Sequence, residues 1–529
     1  MTTSRPTPSV LKNDLYQFTM AYAYWRNGMH LKPAVFDFFF RQCPFEGEFA
    51  IFAGLADLLD FLENGFRFND EKIEYLRSQP LKGADPEFFK WLKTVDSSPL
   101  RIYALAEGTL AFPRVPLIRA EGPIAIAQIL ETPLLEICNF ASLMTTNARR
   151  FRMAAGMDKM LLEFGLRRAQ DGTRASYYSW LGGFDGTSNV DAAKNLDILP
   201  KGTMAHSFVS SFSDHSDLNS SILRSCVDGK DRNFLEAVLK VRSELHFENT
   251  NPGELAAFIA YAQTFPSGFL ALIDTYDTLN SGLPNFICVA VALNGFGYRP
   301  LGVRLDSGDL ADLSKKCRQK LHEVDTEYGF YLLGGIKICA SNEIDEKVLL
   351  SFEKQGHEID VFGIGTHVVT CQNQPAFGGV YKLVEVDGKS CIKISQKRDK
   401  MSFPGRKDAH RLIGQDGKAI LDLITKHIHP TSLKEKTILC CDPFDETDRI
   451  AVIPSEIIPL HTLIWDGGLT SPLPTPPEIK KRIDQEMTRL REDHLRTVNP
   501  TPYRVSLSLE LYGHLQDILR RNMVVPLIK

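Results

Sequence analysis

Asp306, Ser307, Gly308 and Asp309 close a short apolar run in LGVRLDSGDL, Leu301 to Leu310. Two carboxylates, a hydroxyl and a glycine at the end of a buried strand place acceptors and free backbone amides at one rim, as a reaction site requires. Arg304 stands inside the run, where an unpaired guanidinium is costly, so an anionic partner is expected beside it. These residues alone fit a structural Arg–Asp pair as well as they fit a site.

Three other stretches carry chemistry. In GIGTHVVT, Gly363 to Thr370, the two glycines let backbone approach a ligand, and the amides of Thr366 and His367 open a helix, an arrangement suited to phosphate. EFGLRRAQ, Glu163 to Gln170, sets Arg167 and Arg168 after an apolar stretch, and GTMAHSFVSSF, Gly202 to Phe212, carries Thr203 and His206 in a strand-like context. By its neighbours alone, His206 has a satisfied core histidine as its commoner fate.

The elements that must position these residues are legible from Phe269 to Thr370. Strands are expected at Leu270 to Asp274, Leu301 to Asp306, Ile336 to Ala340 and Asp360 to Gly365, with helices at Pro284 to Leu293, closed by Gly295, and at Glu343 to Phe352. Leu310, Leu313, Cys317, Leu321 and Val324 fall at helical spacing, which makes Cys317 a core residue. Strand–helix units of about 25 to 35 residues build parallel sheets and α/β barrels, and a barrel gathers its strand ends on one face.

Before this region a disordered leader (1–12) precedes an N-terminal α/β domain (13–146), and the barrel is expected over 147–378. The N-terminal domain opens on a helix capped by Asn13 or Asp14, where Tyr16 suits core packing or a dimer contact; a strand, Ala34 to Phe40, follows, then a glycine turn and helix over Phe45 to Leu62. Residues 379–529 form a β-rich region with terminal helices, segments of which can complete the N-terminal domain. Its strands are expected at Val380 to Val386 and Ile392 to Ser395 about Asp387-Gly388, with a hairpin over Arg411 to Asp422. His427 and His429 read as surface residues on a strand, Glu478 to Arg496 as a solvated charged helix, and Tyr503 to Met523 as a terminal packing helix. Gly388-Lys389-Ser390 fails as a phosphate loop, because the first glycine of that motif would fall on Leu383.

The totals exclude several classes. Among 529 residues, 61 Lys plus Arg against 65 Asp plus Glu give a net charge of −4, which provides no general attraction to nucleic acid or acidic membranes. The longest clean apolar run near the centre, Phe286 to Leu293, is too short to span a bilayer, and the N-terminus lacks the apolar core of a signal peptide, so a cytosolic (cytoplasmic) location is expected. Ten scattered cysteines without a CxxC pair read as reduced thiols and not as a disulfide frame or zinc site.

With NDLYQFTMAY, EFGLRRA, GTMAHSF, VRLDSGDL and GIGTHVVT in this order, the chain resembles the nicotinate phosphoribosyltransferase family over nearly its whole length. The resemblance implies an irregular α/β barrel with an N-terminal α/β domain and a small C-terminal domain. It implies the reaction of nicotinate with 5-phosphoribosyl 1-pyrophosphate to give nicotinate mononucleotide and pyrophosphate, coupled to ATP hydrolysis, as the first step of NAD salvage from nicotinic acid. His206 then matches the family histidine that ATP phosphorylates, and Arg304 the arginine at the nicotinate carboxylate. Thr203 carries over as a nicotinate contact, and Tyr16 as the ring stacked on the pyridine from the partner subunit, which implies a homodimer with shared sites. Gly365 and Thr366 would hold the ribose 5-phosphate, Arg167 and Arg168 the pyrophosphate or a carboxylate. Asp274 or Asp306 would order the ribose or a magnesium ion held mainly by pyrophosphate, with Asp306 as the metal-side residue. Ser188 stands where a nicotinamide-selective relative has an aspartate, and a serine there suits an acid substrate. Other readings are that relative's activity, an aldolase using Lys337, and a non-catalytic scaffold.

Overall fold

Apolar runs of a few residues, each followed by an amphipathic segment with its own cap, build one compact unit from residues 148–372. The structure, a computed structural model, describes residues 9–394, 400–427, 433, 437–445 and 447–522. Most of the leader, Ser395, His429 and Met523 lie outside the described residues.

The unit holds a six-stranded sheet in the order Leu270–Leu272, Gly302–Leu305, Lys337–Ser341, Val361–Ile364, Met160–Glu163 and Gly186–Thr187. Every neighbouring pair is parallel, so all the strands end at the same rim. Helices Leu283–Gly295, Leu310–Tyr328 and Glu346–Gln355 alternate with these strands. Asp309 and Asp345 cap the second and third by accepting from Asp312 and Val348 amides, and Gly329 ends the second in a left-handed conformation. Val303, Leu305, Ile338, Ala340, Phe362 and Ile364 are buried, and each large apolar side chain among them contributes about 1.5–3 kcal/mol. Cys317 lies on the buried face of Leu310–Tyr328, where burial raises its thiol to about 12, so it is core and not nucleophile.

Among the described residues, no strand pairing joins Gly186–Thr187 to Leu270–Leu272, which makes the α/β barrel an irregular one. The segment 201–206 reaches both edges there, through the Lys201 amide on the Thr187 carbonyl and the His206 ring on Thr275. The strand-like context expected for Thr203 and His206 is therefore corrected. His206–Val209 is a short helical turn, and Phe208 packs on Phe212, four residues on, at 5.3 Å between ring centroids, a helical relation that alternation cannot provide.

The second unit joins residues 1–147 to 373–529. One six-stranded sheet interleaves the two segments, in the order Lys389–Ser390, Val380–Val386, Pro33–Phe39, Ile118–Pro123, Arg101–Ala104 and Thr462–Asp466. The second partner of the Val380–Val386 hairpin is Lys389–Ser390, not Ile392 to Ser395, because Asp387 and Gly388 both take positive φ and form a two-residue turn. A second sheet runs Arg449–Val452, Ile438–Cys441, Val505–Ser508, Ala419–Lys426, Lys407–Ile413 and Glu456–Pro459. Residues from Tyr503 onward thus supply an inner strand before the helix Leu509–Asn522, since Ser506 and Leu507 are buried between paired strands.

Buried charges hold this unit together. Lys407 Nζ lies 2.7 Å from Asp37, both nearly fully buried, and Arg119 pairs with Asp408 and with Glu121, each at 2.8 Å. Arg411 pairs with Asp422 at 2.9 Å and Glu486 at 2.6 Å. The helix Pro476–Arg489 is consequently not a merely solvated element, because Ile479, Ile483, Glu486 and Met487 are buried. Among the described residues no helix is long and apolar enough to cross a membrane.

Candidate active site

The strand ends of the 148–372 unit bring five of the expected residues together. Arg304 donates from NH2 to Asp306 Oδ1 at 3.0 Å, from Nε to Ser341 Oγ at 2.8 Å and from NH1 to Thr203 Oγ1 at 3.4 Å. Asp306 is therefore the anionic partner that a half-buried guanidinium requires. Ser341 also donates to Asp306 Oδ1, so arginine, serine and aspartate form a closed triangle. The Phe164 ring lies beside the guanidinium, with Arg304 Cζ 5.4 Å from its centroid. Gly363 makes room for that ring, since a Cβ there would stand 2.5 Å from it.

Asp274 joins the cluster from the next strand end. Its Oδ2 accepts from the Asp306 amide at 2.8 Å and from Ser307 Oγ at 2.5 Å, while its Oδ1 is buried without a hydrogen-bond partner. His206 places Nδ1 3.0 Å from Thr275 Oγ1 and Nε2 3.6 Å from Asp306 Oδ2, with 44% of its side chain exposed. The second distance is too long for a hydrogen bond, which leaves Nε2 as the accessible nitrogen.

A second group lies around the end of Met160–Glu163. Gly165 starts the turn Leu166–Arg168, which displays Arg167 and Arg168 at the surface. Gly165 packs on the phosphate candidate: a Cβ there would lie 2.5 Å from Val369 and 2.8 Å from the Gly365 carbonyl. Gly365 caps the helical segment Thr366–Thr370, and Thr366 is half-buried. Only five residues long, that segment contributes local amides more than a macrodipole. Ser188 is half-buried after Gly186–Thr187, its hydroxyl 3.3 Å from the Glu163 carbonyl.

Two expectations stand apart. Tyr16 belongs to the other unit, on the helix Leu15–Arg26, with 46% of its surface exposed; burial, reinforced by the Glu131 charge, raises its phenol above the ordinary value. Lys337 occupies the first residue of its strand, away from the carboxyl rim, is 63% exposed and pairs with Asp360 at 3.0 Å. That geometry removes the aldolase reading.

Sequence reasoning passed over Phe164, Thr275, Ser341, Glu163 and Glu254. Glu163 and Phe164 lie within a quoted motif, Thr275 adjoins Asp274, and Ser341 follows the expected strand Ile336 to Ala340. Glu254 gives no sequence signal; it accepts from Ser281 at 2.6 Å and Asn285 at 3.0 Å behind the Asp274 loop, and burial raises it to about 6.

This arrangement can be set against known proteins. The family model described as nicotinate phosphoribosyltransferase (NAPRTase) N-terminal domain matches residues 11–139, the NAPRTase family model 160–266, and the C-terminal domain model 406–515. The nicotinate phosphoribosyltransferase of Dictyostelium discoideum is 46% identical over 522 residues, covering 96% of this chain and 88% of the relative. The chain belongs to the nicotinate phosphoribosyltransferase family. The Caenorhabditis elegans member is likewise 46% identical, over 97% of this chain and 93% of its own. The crystal structure of human nicotinic acid phosphoribosyltransferase superposes with a TM-score of 0.86 at 39% identity, covering 96% of this chain and 99% of that one. The family fold, an irregular α/β barrel with N- and C-terminal portions, is the one described above.

Proposed function

We propose that the protein transfers the phosphoribosyl group of 5-phosphoribosyl 1-pyrophosphate to nicotinate, releasing pyrophosphate and forming nicotinate mononucleotide. The observation that carries this reading is the orientation of Arg304. Its Nε and one NH2 hydrogen are taken by Ser341 and Asp306, and the NH1 contact to Thr203 is long. One N–H remains on each terminal nitrogen, and a guanidinium can offer such a pair in its plane to a carboxylate. Family membership supplies the substrate, and the triangle supplies the preorganisation.

In this reading Thr203 and Ser188 line the nicotinate side, Arg167, Arg168, Gly365 and Thr366 take the phosphates, and Asp274 orders the ribose. Pyrophosphate departs first, and the pyridine nitrogen attacks the cationic anomeric carbon, with position providing most of the acceleration. The partnerless Asp274 Oδ1 and the adjacent Asp306 carboxylate are hard oxygen donors that fit magnesium, which would be shared with pyrophosphate and neutralise its charge. ATP is the co-substrate: His206 Nε2 takes its γ-phosphoryl group as the bond to the β–γ bridging oxygen breaks and ADP leaves, Nδ1 being engaged by Thr275. The exposed ring of Tyr16 supports a homodimer in which the partner subunit's Tyr16 stacks on the pyridine.

The test is product formation from 5-phosphoribosyl 1-pyrophosphate and magnesium with nicotinate or nicotinamide, each with and without ATP, in wild type and His206→Ala. Nicotinate-selective synthesis, stimulated by ATP only in the wild type, is expected. Turnover of nicotinamide instead would overturn the acid specificity, and no turnover of either would return the scaffold reading.

A further inference from the structure

The proposed reaction leaves Glu163 unused, although it is fully buried at the end of its strand. Its Oε1 accepts from the Gly165 amide, and its Oε2 accepts from Ser176 Oγ at 2.7 Å and Thr187 Oγ1 at 2.6 Å. These three donors are neutral, and among the described residues no cation pairs with this carboxylate. Burying a charge on neutral donors is expensive, and a packed apolar residue would hold a strand end at lower cost. What the carboxylate does instead is tie the arginine turn, the helix Gly172–Gly182 and the strand Gly186–Thr187 to one point. The tie has little slack, since Gly165 abuts Val369 and the Gly365 carbonyl. One residue on, the Phe164 amide bonds the Ile364 carbonyl at 2.8 Å, which sets this turn beside the Gly365–Thr366 segment.

We infer that Glu163 is a positioning residue for the pyrophosphate end of the substrate, holding the Gly165–Arg168 turn so that Arg167 and Arg168 meet the phosphates without reorganising. The inference rests on the proposed role of these arginines. It separates two effects: the Glu163 side chain fixes the turn, whereas Ser188, although it follows the Thr187 that the carboxylate holds, keeps its own bonds to the Glu163 backbone carbonyl, through its amide at 2.9 Å and its hydroxyl at 3.3 Å. Side-chain substitutions should therefore act on the phosphate substrate and spare nicotinate. A glutamine retains most of the geometry, because its Oε1 can accept from Gly165 while Ser176 turns to the Gly172 carbonyl, already 2.9 Å away.

The experiment measures both KM values in wild type, Glu163→Gln, Glu163→Ala, Arg167→Ala/Arg168→Ala and the triple variant, with thermal melting as the fold control. Glu163→Ala should raise KM for 5-phosphoribosyl 1-pyrophosphate about tenfold or more, leave KM for nicotinate within about twofold, and add nothing in the arginine-less background. Glu163→Gln should restore a near-normal value. If Glu163→Ala does not fold, Glu163→Asp, which keeps the charge and withdraws it by one methylene, should show the same one-sided KM change. Equal shifts of both KM values, no shift in a folded variant, or a full additional loss in the triple variant would overturn the inference. An arginine pair whose removal leaves the phosphate KM unchanged would instead refute the arginine assignment.

Discussion

His206 Nδ1 sits 3.0 Å from the hydroxyl of Thr275, the residue that directly follows Asp274. The ring is thereby fixed with Nε2 outward, and the loop that carries a ribose candidate also orients the proposed phosphoryl acceptor. Thr275→Val removes that hydrogen bond at nearly constant volume. The ATP-stimulated part of the rate should fall about tenfold, as expected for the loss of roughly 1–1.5 kcal/mol, while turnover without ATP stays unchanged and Thr275→Ser recovers the stimulation. Equal losses with and without ATP would show that Thr275 does not act through His206.

Arg304→Lys keeps the charge but loses the fork. A hydrogen bond to a charged group contributes about 1.5–3 kcal/mol, so KM for nicotinate should rise by roughly 10- to 100-fold, with a smaller change in KM for the phosphate substrate. Steady-state kinetics in both substrates check this. An unchanged nicotinate KM would remove Arg304 from the carboxylate.

Gly165→Ala forces a methyl against Val369 and the Gly365 carbonyl. Overpacking of this kind costs about 1–3 kcal/mol, and the displaced atoms belong to the segment proposed to bind phosphate. A lower melting temperature together with a raised KM for 5-phosphoribosyl 1-pyrophosphate is expected. Val369→Ala in the same chain should restore part of both; a melting loss with normal KM would separate packing from phosphate binding.

Acid should weaken the unit formed by the chain's two end segments. His461 donates from Nε2 to the Pro116 carbonyl at 2.6 Å, while Nδ1 is buried without a partner. Burial, helped by the Arg119 and His410 charges and opposed by Asp408, lowers its pKa to about 4. The folded value lies below the ordinary 6.5, so this contribution to stability is complete above pH 6.5 and is lost as pH falls from there through about 4. His461→Gln keeps a donor for Pro116 and cannot titrate. Its melting temperature should drop less than that of the wild type between pH 7 and pH 4, and parallel curves would contradict the assignment.

The sequence by itself determined the periodic part of this protein and, through its motifs, the family to which it belongs. From Leu270 to Thr366 each strand and helix follows from local spacing and caps, because parallel strands buried on both faces are written as continuous apolar runs. Arg304 announced an anionic partner by standing in such a run. The tertiary structure alone decided which atoms meet. Arg304 and Asp306 are near neighbours in the chain, but Ser341 reaches both from the next strand, and Glu163 reaches Ser176 and Thr187 on two further elements; no local pattern encodes a hydrogen bond across that separation. The same holds for the other unit, whose sheet interleaves both ends of the chain around buried pairs such as Asp37 and Lys407. Periodicity reports which face of an element is buried, but the partner that buries it is chosen by packing and by pairing of buried charge.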